Sequence, residues 1–118
     1  MPPEVVERLR HILCEAEFLE KEVRNLTYSA LLADEILKRA FVRSIEVIGE
    51  ASKHVPEETR VKFPSVEWKK MAAMRDRVIH DYSGINYLIV WDVATNKAPA
   101  LTTELRAILK DLDDSREF

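Results

Sequence analysis

The sequence predicts an all-α protein, and three observations support this prediction. Glycine occurs only 2 times and proline 5 times in 118 residues, which is few for strands joined by tight turns. Apolar residues recur every three or four positions along most of the chain, as on one face of a helix. Apolar residues make up 47% and charged residues 33%, so the chain can bury a core within a single domain.

Composition and charge disfavour several classes of protein. Cys14 is the only cysteine, so an intrachain disulfide and a cysteine-based zinc site are excluded, and we expect Cys14 to be a small buried residue. The net charge of −3 argues against nucleic-acid binding by bulk charge but permits a local basic site. Neither a secretory signal nor a run of roughly 18 apolar residues is evident. The default interpretation is a soluble cytoplasmic protein.

A heptad stripe predicts the first helix, over residues 3–25. Pro2 and Pro3 suit a helix start, and Glu4 is favourable at the positive end of the helix dipole. The stripe consists of apolar residues spaced alternately four and three apart: Val5, Leu9, Ile12, Ala16, Leu19, Val23 and Leu26.

A broad apolar face predicts a second helical segment, from residue 27 or 29 to about residue 54. Thr27 can cap its start, and Asp34 can cap a restart after a short first turn. Gly49 lies inside the pattern, where a glycine permits another helix to approach closely. Pro56 ends the segment.

The second half of the chain predicts three more helices. Residues 56–65 form a connection, and Ser65 is the predicted N-cap of a third helix that ends near Gly84. A fourth helix is predicted over residues 86–96, and a shorter fifth helix over residues 99–112, where Pro99 marks a break.

Together these elements predict a bundle of four main helices plus a short C-terminal helix. We expect one domain over residues 1–112 and a frayed tail over residues 113–118, since no repeat or linker is evident. Nearly every helix carries an apolar stripe, so a homodimer is compatible with the pattern.

The segment Met74–Tyr82 concentrates charged and catalytic residue types at a predicted helix end. Asp76 and His80 are four residues apart and would share a helix face, so Asp76 could orient His80 or make only a cap-like contact. Arg75 could supply a fixed positive charge to a phosphate. Arg75 and His80, however, lie about 140° apart around a straight helix. Arg75 and His80 can act on the same group only if the helix ends or bends between them, or if a second chain brings its own copy of these residues.

The run from Arg75 to Tyr82 resembles the Arg-x4-His-x-Tyr signature of HepT-like toxins in the HEPN superfamily. Residues 48–53 resemble the Gly-Glu-Ala segment of that family, and residues 66–69 resemble the Trp-bearing start of its motif helix. Residues 82–91 resemble the helix that follows the motif in that family, and Pro99 resembles the break after this helix. The resemblance therefore covers nearly the whole chain.

The resemblance implies a HEPN helical bundle that dimerises with both motifs facing one cleft, and a metal-independent endoribonuclease that needs no cofactor. One His80 would act as general base on a ribose 2′-hydroxyl, and the other His80, or water, would protonate the leaving 5′-oxygen. Arg75 would bind the phosphate, and Asp76 would orient His80. The products would be a 2′,3′-cyclic phosphate and a 5′-hydroxyl.

The resemblance also implies a role for Tyr82. In HepT-like systems the partner is an MNT-type nucleotidyltransferase antitoxin, which transfers AMP from ATP to the tyrosine of the motif. An adenylate beside Arg75 and His80 would occupy the phosphate site and block RNA. The alternative is a tyrosine at a helix end with its hydroxyl in water.

Further candidates lie outside the motif. The resemblance places Glu50 in the Gly-Glu-Ala segment, where it could contact the motif helix or the cleft rim, or only satisfy a buried polar neighbour. Lys53 could support the cleft, and Lys53, Lys69 and Lys70 could steer RNA or be ordinary surface lysines. The four-apart pairs His11–Glu15 and Glu50–His54 could in principle bind a metal, but solvated surface pairs are the commoner outcome, so we expect no metal site.

Two alternatives to a ribonuclease remain open at this stage. One is a catalytically inactive HEPN module that binds a nucleotidyltransferase or a nucleotide. The other is a plain dimerisation bundle, in which alanine at the motif positions would change only stability.

Overall fold

The computed structural model describes residues 2–80 and 84–116 and shows an all-α helical bundle. A two-residue ladder, β1 (Ile79–His80) and β2 (Gly84–Ile85), is the extended structure within these ranges. The helices are α1 (Pro3–Val23), α2 (Tyr28–Ala33), α3 (Glu35–Lys53), α4 (Glu57–Lys62), α5 (Trp68–Val78), α6 (Tyr87–Asp92) and α7 (Ala98–Arg116), with a π-helical segment (Val93–Lys97) between the last two.

The first helices begin where the capping residues predict. Helix α1 starts at Pro3, as predicted, and ends at Val23, two residues before the predicted end. The Thr27 side chain accepts a hydrogen bond from the backbone N–H of Ala30 at 3.1 Å. The Asp34 carboxylate accepts one from the N–H of Leu37 at 2.9 Å, which separates α2 from α3. Both caps satisfy backbone donors that have no partner within their helix.

The predicted start of the third helix is wrong. Helix α5 begins at Trp68, after Glu67, and the exposed Ser65 does not cap it. The indole N–H of Trp68 donates to the carbonyl of Phe63 at 2.9 Å, and its backbone N–H donates to the carbonyl of Val66. These two bonds stabilise a turn over residues 63–67 and delay the helix by two residues.

The predicted break at Pro99 is also wrong, because helical structure continues from Tyr87 to Arg116. The N–H of Ala98 bonds to the carbonyl of Val93, five residues earlier. A proline inside a helix has no N–H and crowds the carbonyl four residues before it, and a widened π turn relieves both problems. The fifth helix is therefore 19 residues long instead of short, and it ends four residues beyond Leu112.

The bundle is organised around α1 and α3. Helix α3 packs against α1 on one side and α5 on the other, while α1 also packs against α7. Cys14 points outward and is exposed, contrary to the prediction, because it lies off the apolar stripe of α1. Within the described ranges, no helix combines the length and apolar character needed to cross a membrane. The most deeply buried core side chains are Leu9, Ile12, Leu19, Leu31, Phe41, Ile45, Val78, Val90 and Leu105.

Gly49 allows α3 and α5 to lie close together, as its position in the sequence predicts. A Cβ atom added to Gly49 would lie 3.4 Å from the carbonyl oxygen of Met71 and 3.5 Å from the Cβ of Arg75. Both distances are ordinary van der Waals contacts, so a methyl group fits in the gap and a larger side chain does not. The approach places the α5 face that carries Arg75 directly beside α3.

We expect Gly49→Ala to raise the free energy of unfolding by up to about 1 kcal/mol, because alanine is the better helix former and its methyl group fits. Gly49→Leu should lower it, since the longer side chain must separate α3 from α5. Urea unfolding of the two variants measures the difference. Equal stability of the leucine and alanine variants would show that the helices are not in close contact at Gly49.

Candidate functional site

Arg75 lies on the exposed surface of α5 where this helix meets α3. Its side chain is 45% exposed, so the guanidinium can reach a ligand from solvent. Two carboxylates lie near it: the Glu46 Oε2 atom is 4.0 Å from Nε, and the Asp76 Oδ1 atom is 3.7 Å from Nη1. These carboxylates restrict the guanidinium without burying it.

His80 lies beyond the end of the motif helix. Helix α5 ends at Val78, and His80 belongs to the extended strand β1, where it pairs with Gly84. The N–H of Asn86 also donates to the carbonyl of Val78 at 2.8 Å, and Gly84 has a φ of 93° that other residues rarely adopt. The backbone of His80 is therefore fixed by a short ladder.

The helix end changes two expectations about the motif. The four-residue spacing of Asp76 and His80 does not place them on one helix face, because the helix ends between them. The Asp76 carboxylate lies 3.7 Å from the guanidinium of Arg75. The 140° separation of Arg75 and His80 in a straight helix also no longer applies, since the chain leaves the helix after Val78. Tyr82, the predicted site of modification, lies outside the described residues.

A groove of 340 Å³ opens beside Arg75, between α1, α3 and α5. Glu50 contributes to its wall. Lys53 is exposed near the end of α3 and does not line the groove. Lys69 and Lys70 line a different cavity, near Trp68. The groove therefore combines Arg75 with residues of two other helices.

Three groove residues were missed from the sequence: Arg8 of α1, and Arg43 and Glu46 of α3. The sequence alone could have placed Arg43 and Glu46 on one helix face with Glu50, because these residues follow steps of three and four. This face becomes relevant only once α5 is known to pack beside Gly49. The position of Arg8 depends on the packing of α1 against α3, which one sequence does not reveal.

The candidate metal pairs are ordinary surface contacts. His11 pairs with Glu7 at 3.2 Å instead of with Glu15, and His54 pairs with Glu50 at 3.3 Å. All four side chains of these contacts are more than half exposed. No group of three potential metal ligands occurs among residues 2–80 and 84–116.

A second, smaller cavity of 70 Å³ lies between α5 and α7, on the side of α5 that carries Arg77. Glu104 lines it, and its Oε2 atom is buried without a hydrogen-bond partner among the described residues. Burial raises the pKa of the Glu104 carboxyl above its ordinary value, and nearby Glu67 adds to this, while a hydrogen bond with Ser65 opposes it. Folding therefore makes ionisation of the Glu104 carboxyl less favourable than it is in the unfolded chain.

A carboxyl with a raised pKa in the folded state binds its proton more tightly when folded, so its effect on stability becomes less favourable as the pH rises. We expect Glu104→Gln to leave the melting temperature nearly unchanged at about pH 4 and to raise it at about pH 7. Thermal unfolding across this range measures the effect. A variant that tracks the parent protein at every pH would show that Glu104 is ionised without penalty.

Comparison with known proteins identifies the family of this chain. The family model described as "HepT-like: Ribonuclease HepT-like" matches residues 12–108, and no solved structure matches the chain. "Putative RNase TTE0752" of Caldanaerobacter subterraneus subsp. tengcongensis is 45% identical over 102 residues, covering 86% of this chain and 91% of the relative. "Putative RNase MJ0127" of Methanocaldococcus jannaschii is 45% identical over 93 residues, covering 79% and 77%.

A more distant relative carries the family name. "Probable ribonuclease HepT" of Thermococcus cleftensis is 32% identical over 94 residues, which cover 80% of this chain and 86% of the relative. The family model spans most of the bundle, from α1 through the motif helix to α7. The chain thus belongs to the HepT-like ribonuclease family.

Proposed function

We propose that this protein is the toxin of a type VII HepT/MntA-like toxin–antitoxin system, a metal-independent endoribonuclease whose active site forms between two subunits. The observation that supports this most is the end of α5 at Val78, between Arg75 and His80. The exposed guanidinium of Arg75 lies beside the groove. His80 follows two residues after the helix end, and its backbone is fixed by pairing with Gly84.

In the proposed mechanism, a His80 imidazole removes the proton from a ribose 2′-hydroxyl, and the 2′-oxygen attacks the adjacent phosphorus. The bond from phosphorus to the 5′-oxygen breaks, and the second His80, or water, protonates this oxygen. Arg75 stabilises the negative charge that develops on the phosphate. Asp76 orients His80 in this proposal, and its contact with Arg75 also restricts the guanidinium.

The proposed homodimer is supported by apolar surface that the single chain leaves exposed. Ile36 of α3 is 83% exposed and Leu88 of α6 is 65% exposed. Lys38 of α3 covers the Tyr87 ring of α6, so these two helices meet. Large exposed apolar side chains often mark protein interfaces. Sedimentation equilibrium should give twice the chain mass of 13.7 kDa. A purely monomeric protein would contradict the shared active site.

The experiment that tests the proposed reaction is cleavage of single-stranded RNA in excess EDTA, with analysis of the ends produced. We expect 2′,3′-cyclic phosphate and 5′-hydroxyl ends, and no cleavage of the same sequence made with 2′-O-methyl ribose, which lacks the nucleophile. Cleavage that requires a divalent cation would contradict the mechanism. Absence of cleavage together with binding of a nucleotidyltransferase would favour the inactive binding module instead.

The proposed regulation predicts that Tyr82 is adenylylated by a cognate MNT-type nucleotidyltransferase. Incubation with this enzyme and ATP should add one adenylate to the peptide that contains Tyr82 and should inhibit cleavage, because the added phosphate competes for Arg75. Intact-mass and peptide mass spectrometry measure the modification, with Tyr82→Phe as the control. An unmodified Tyr82, or an adenylate carried equally by the phenylalanine variant, would contradict this assignment.

A further inference from the structure

The groove beside Arg75 contains more cationic groups than the proposed chemistry uses. Arg8 of α1 and Arg43 of α3 line the groove together with Arg75. The proposed mechanism assigns Arg75 to the phosphate that is cleaved and gives the other two arginines no task. His11, one helical turn after Arg8, lines the same wall.

Arg8 and Arg43 differ in their surroundings from the four arginines that lie within 4.0 Å of a carboxylate in the described part of the chain, which are Arg10, Arg24, Arg75 and Arg106. Arg10 lies 3.8 Å from Asp113, and Arg106 lies 2.8 Å from Glu17. Among the side chains that the structure describes, which exclude those of residues 80–83 and 114–118, no carboxylate oxygen comes within 4.0 Å of the guanidinium of Arg8 or Arg43. Two guanidinium groups that face a groove without anionic partners are suited to bind an anion there.

The remaining groups of the groove indicate what kind of anion fits. Glu46 lies beside Arg75, and Glu50 lies on the same α3 face, so the groove is a mixture of cations and carboxylates. A ligand that presents only anionic groups would be repelled by these carboxylates. A nucleotide strand fits better, because its phosphates can bind the guanidinium groups while the amino groups of its bases donate hydrogen bonds to the carboxylates.

We propose that Arg8 and Arg43 form a second phosphate subsite, which binds a phosphodiester of the same single-stranded RNA next to the one that is cleaved. The inference rests on the proposed ribonuclease function, because Arg75 then fixes where the strand passes. The net charge of −3 agrees with a footprint of few phosphates, since nothing in the overall charge attracts RNA to the rest of the surface.

Binding can be measured independently of cleavage. The probe is a short, fluorescein-labelled oligoribonucleotide with 2′-O-methyl ribose throughout, which cannot be cleaved through its 2′-oxygen. Its affinity for the full-length protein is followed by fluorescence anisotropy between about 50 and 200 mM salt. The test variant is R8Q/R43Q. The control variant R10Q/R106Q loses the same charge from the α1 and α7 surface outside the groove. Thermal unfolding confirms that both variants are folded.

Each phosphate contact to a single strand contributes about 0.7 to the slope of log affinity against log salt concentration. Because the subsite binds one phosphodiester, we expect R8Q/R43Q to lower this slope by about 0.7 and to weaken binding about 5-fold at 0.1 M salt, while the control matches the parent protein. Equal slopes for both variants would overturn the subsite. So would failure of the parent protein to bind the probe.

The proposed function is judged separately, by cleavage of ordinary RNA and its dependence on Arg75. If R8Q/R43Q keeps the salt slope of the parent protein while RNA is still cleaved, the second subsite is wrong and the ribonuclease stands. If neither binding nor cleavage is observed, both proposals are wrong.

Discussion

Replacing His80 by alanine is expected to slow RNA cleavage by about 10²–10⁴-fold, which is the typical contribution of a general acid or base. Replacing Arg75 by alanine is expected to slow it by about 10²–10³-fold, because the developing phosphate charge loses its stabilising cation. Neither change should unfold the protein: Arg75 is exposed, and His80 contributes backbone pairing that alanine preserves. Initial rates with a labelled RNA in EDTA measure both effects.

The matched control is Arg77→Ala, which removes a cation from the same helix. Arg77 is exposed and lines the smaller cavity between α5 and α7, away from the groove that contains Arg75. We expect its cleavage rate to stay within a factor of about two of the parent rate, as for a surface substitution outside the site. An equal loss of rate in all three variants would indicate a general electrostatic effect instead of specific roles.

Replacing Phe41 by alanine is expected to lower the free energy of unfolding by about 3–5 kcal/mol. Phe41 has no exposed surface, and its ring packs edge-on against Phe18 at a centroid distance of 6.1 Å. It lies on α3, the helix that contacts both α1 and α5, so a cavity there affects both sides of the bundle. A domain of this size has about 5–15 kcal/mol of stability in total, so the loss is a large fraction of it.

Ile36→Ala is the control for this prediction, because it removes a large apolar side chain from the same helix at a position that is 83% exposed. Its effect on chain stability should stay within about 0.5 kcal/mol. Urea unfolding at a protein concentration low enough to limit association gives both values. A loss below 1 kcal/mol for Phe41→Ala would contradict the packing described for α3.

Much of the fold could be predicted because its signals are local. A cap such as Asp34 and a start such as Pro3 act on backbone groups within one turn, and the structure shows both where they were predicted. Where the sequence misled, a competing contact outweighed the local preference. Ser65 is a good cap in isolation, but the bonds of Trp68 to the turn before it delayed the helix. A widened π turn accommodates Pro99, and the spacing of apolar residues in the sequence does not predict such a turn.

The sequence indicated some candidate residues of the site but not how they are arranged in space. Arg75 could be selected from the motif, and the structure places it on an exposed face beside α3. That Asp76 and His80 do not share a helix could not be predicted, because it depended on the residue at which α5 ends. Arg8 and Arg43 have no local pattern that marks them as binding residues. They are brought to Arg75 by packing between helices that are distant in sequence.

The most direct test of the proposed chemistry compares RNA cleavage by the parent protein with cleavage by the double variant R75A/H80A in excess EDTA, after both are shown to be folded. The account predicts rapid cleavage by the parent protein and only the uncatalysed background rate with the double variant. Equal rates for the two proteins would contradict it, because the groups at the end of α5 would then have no part in cleaving RNA.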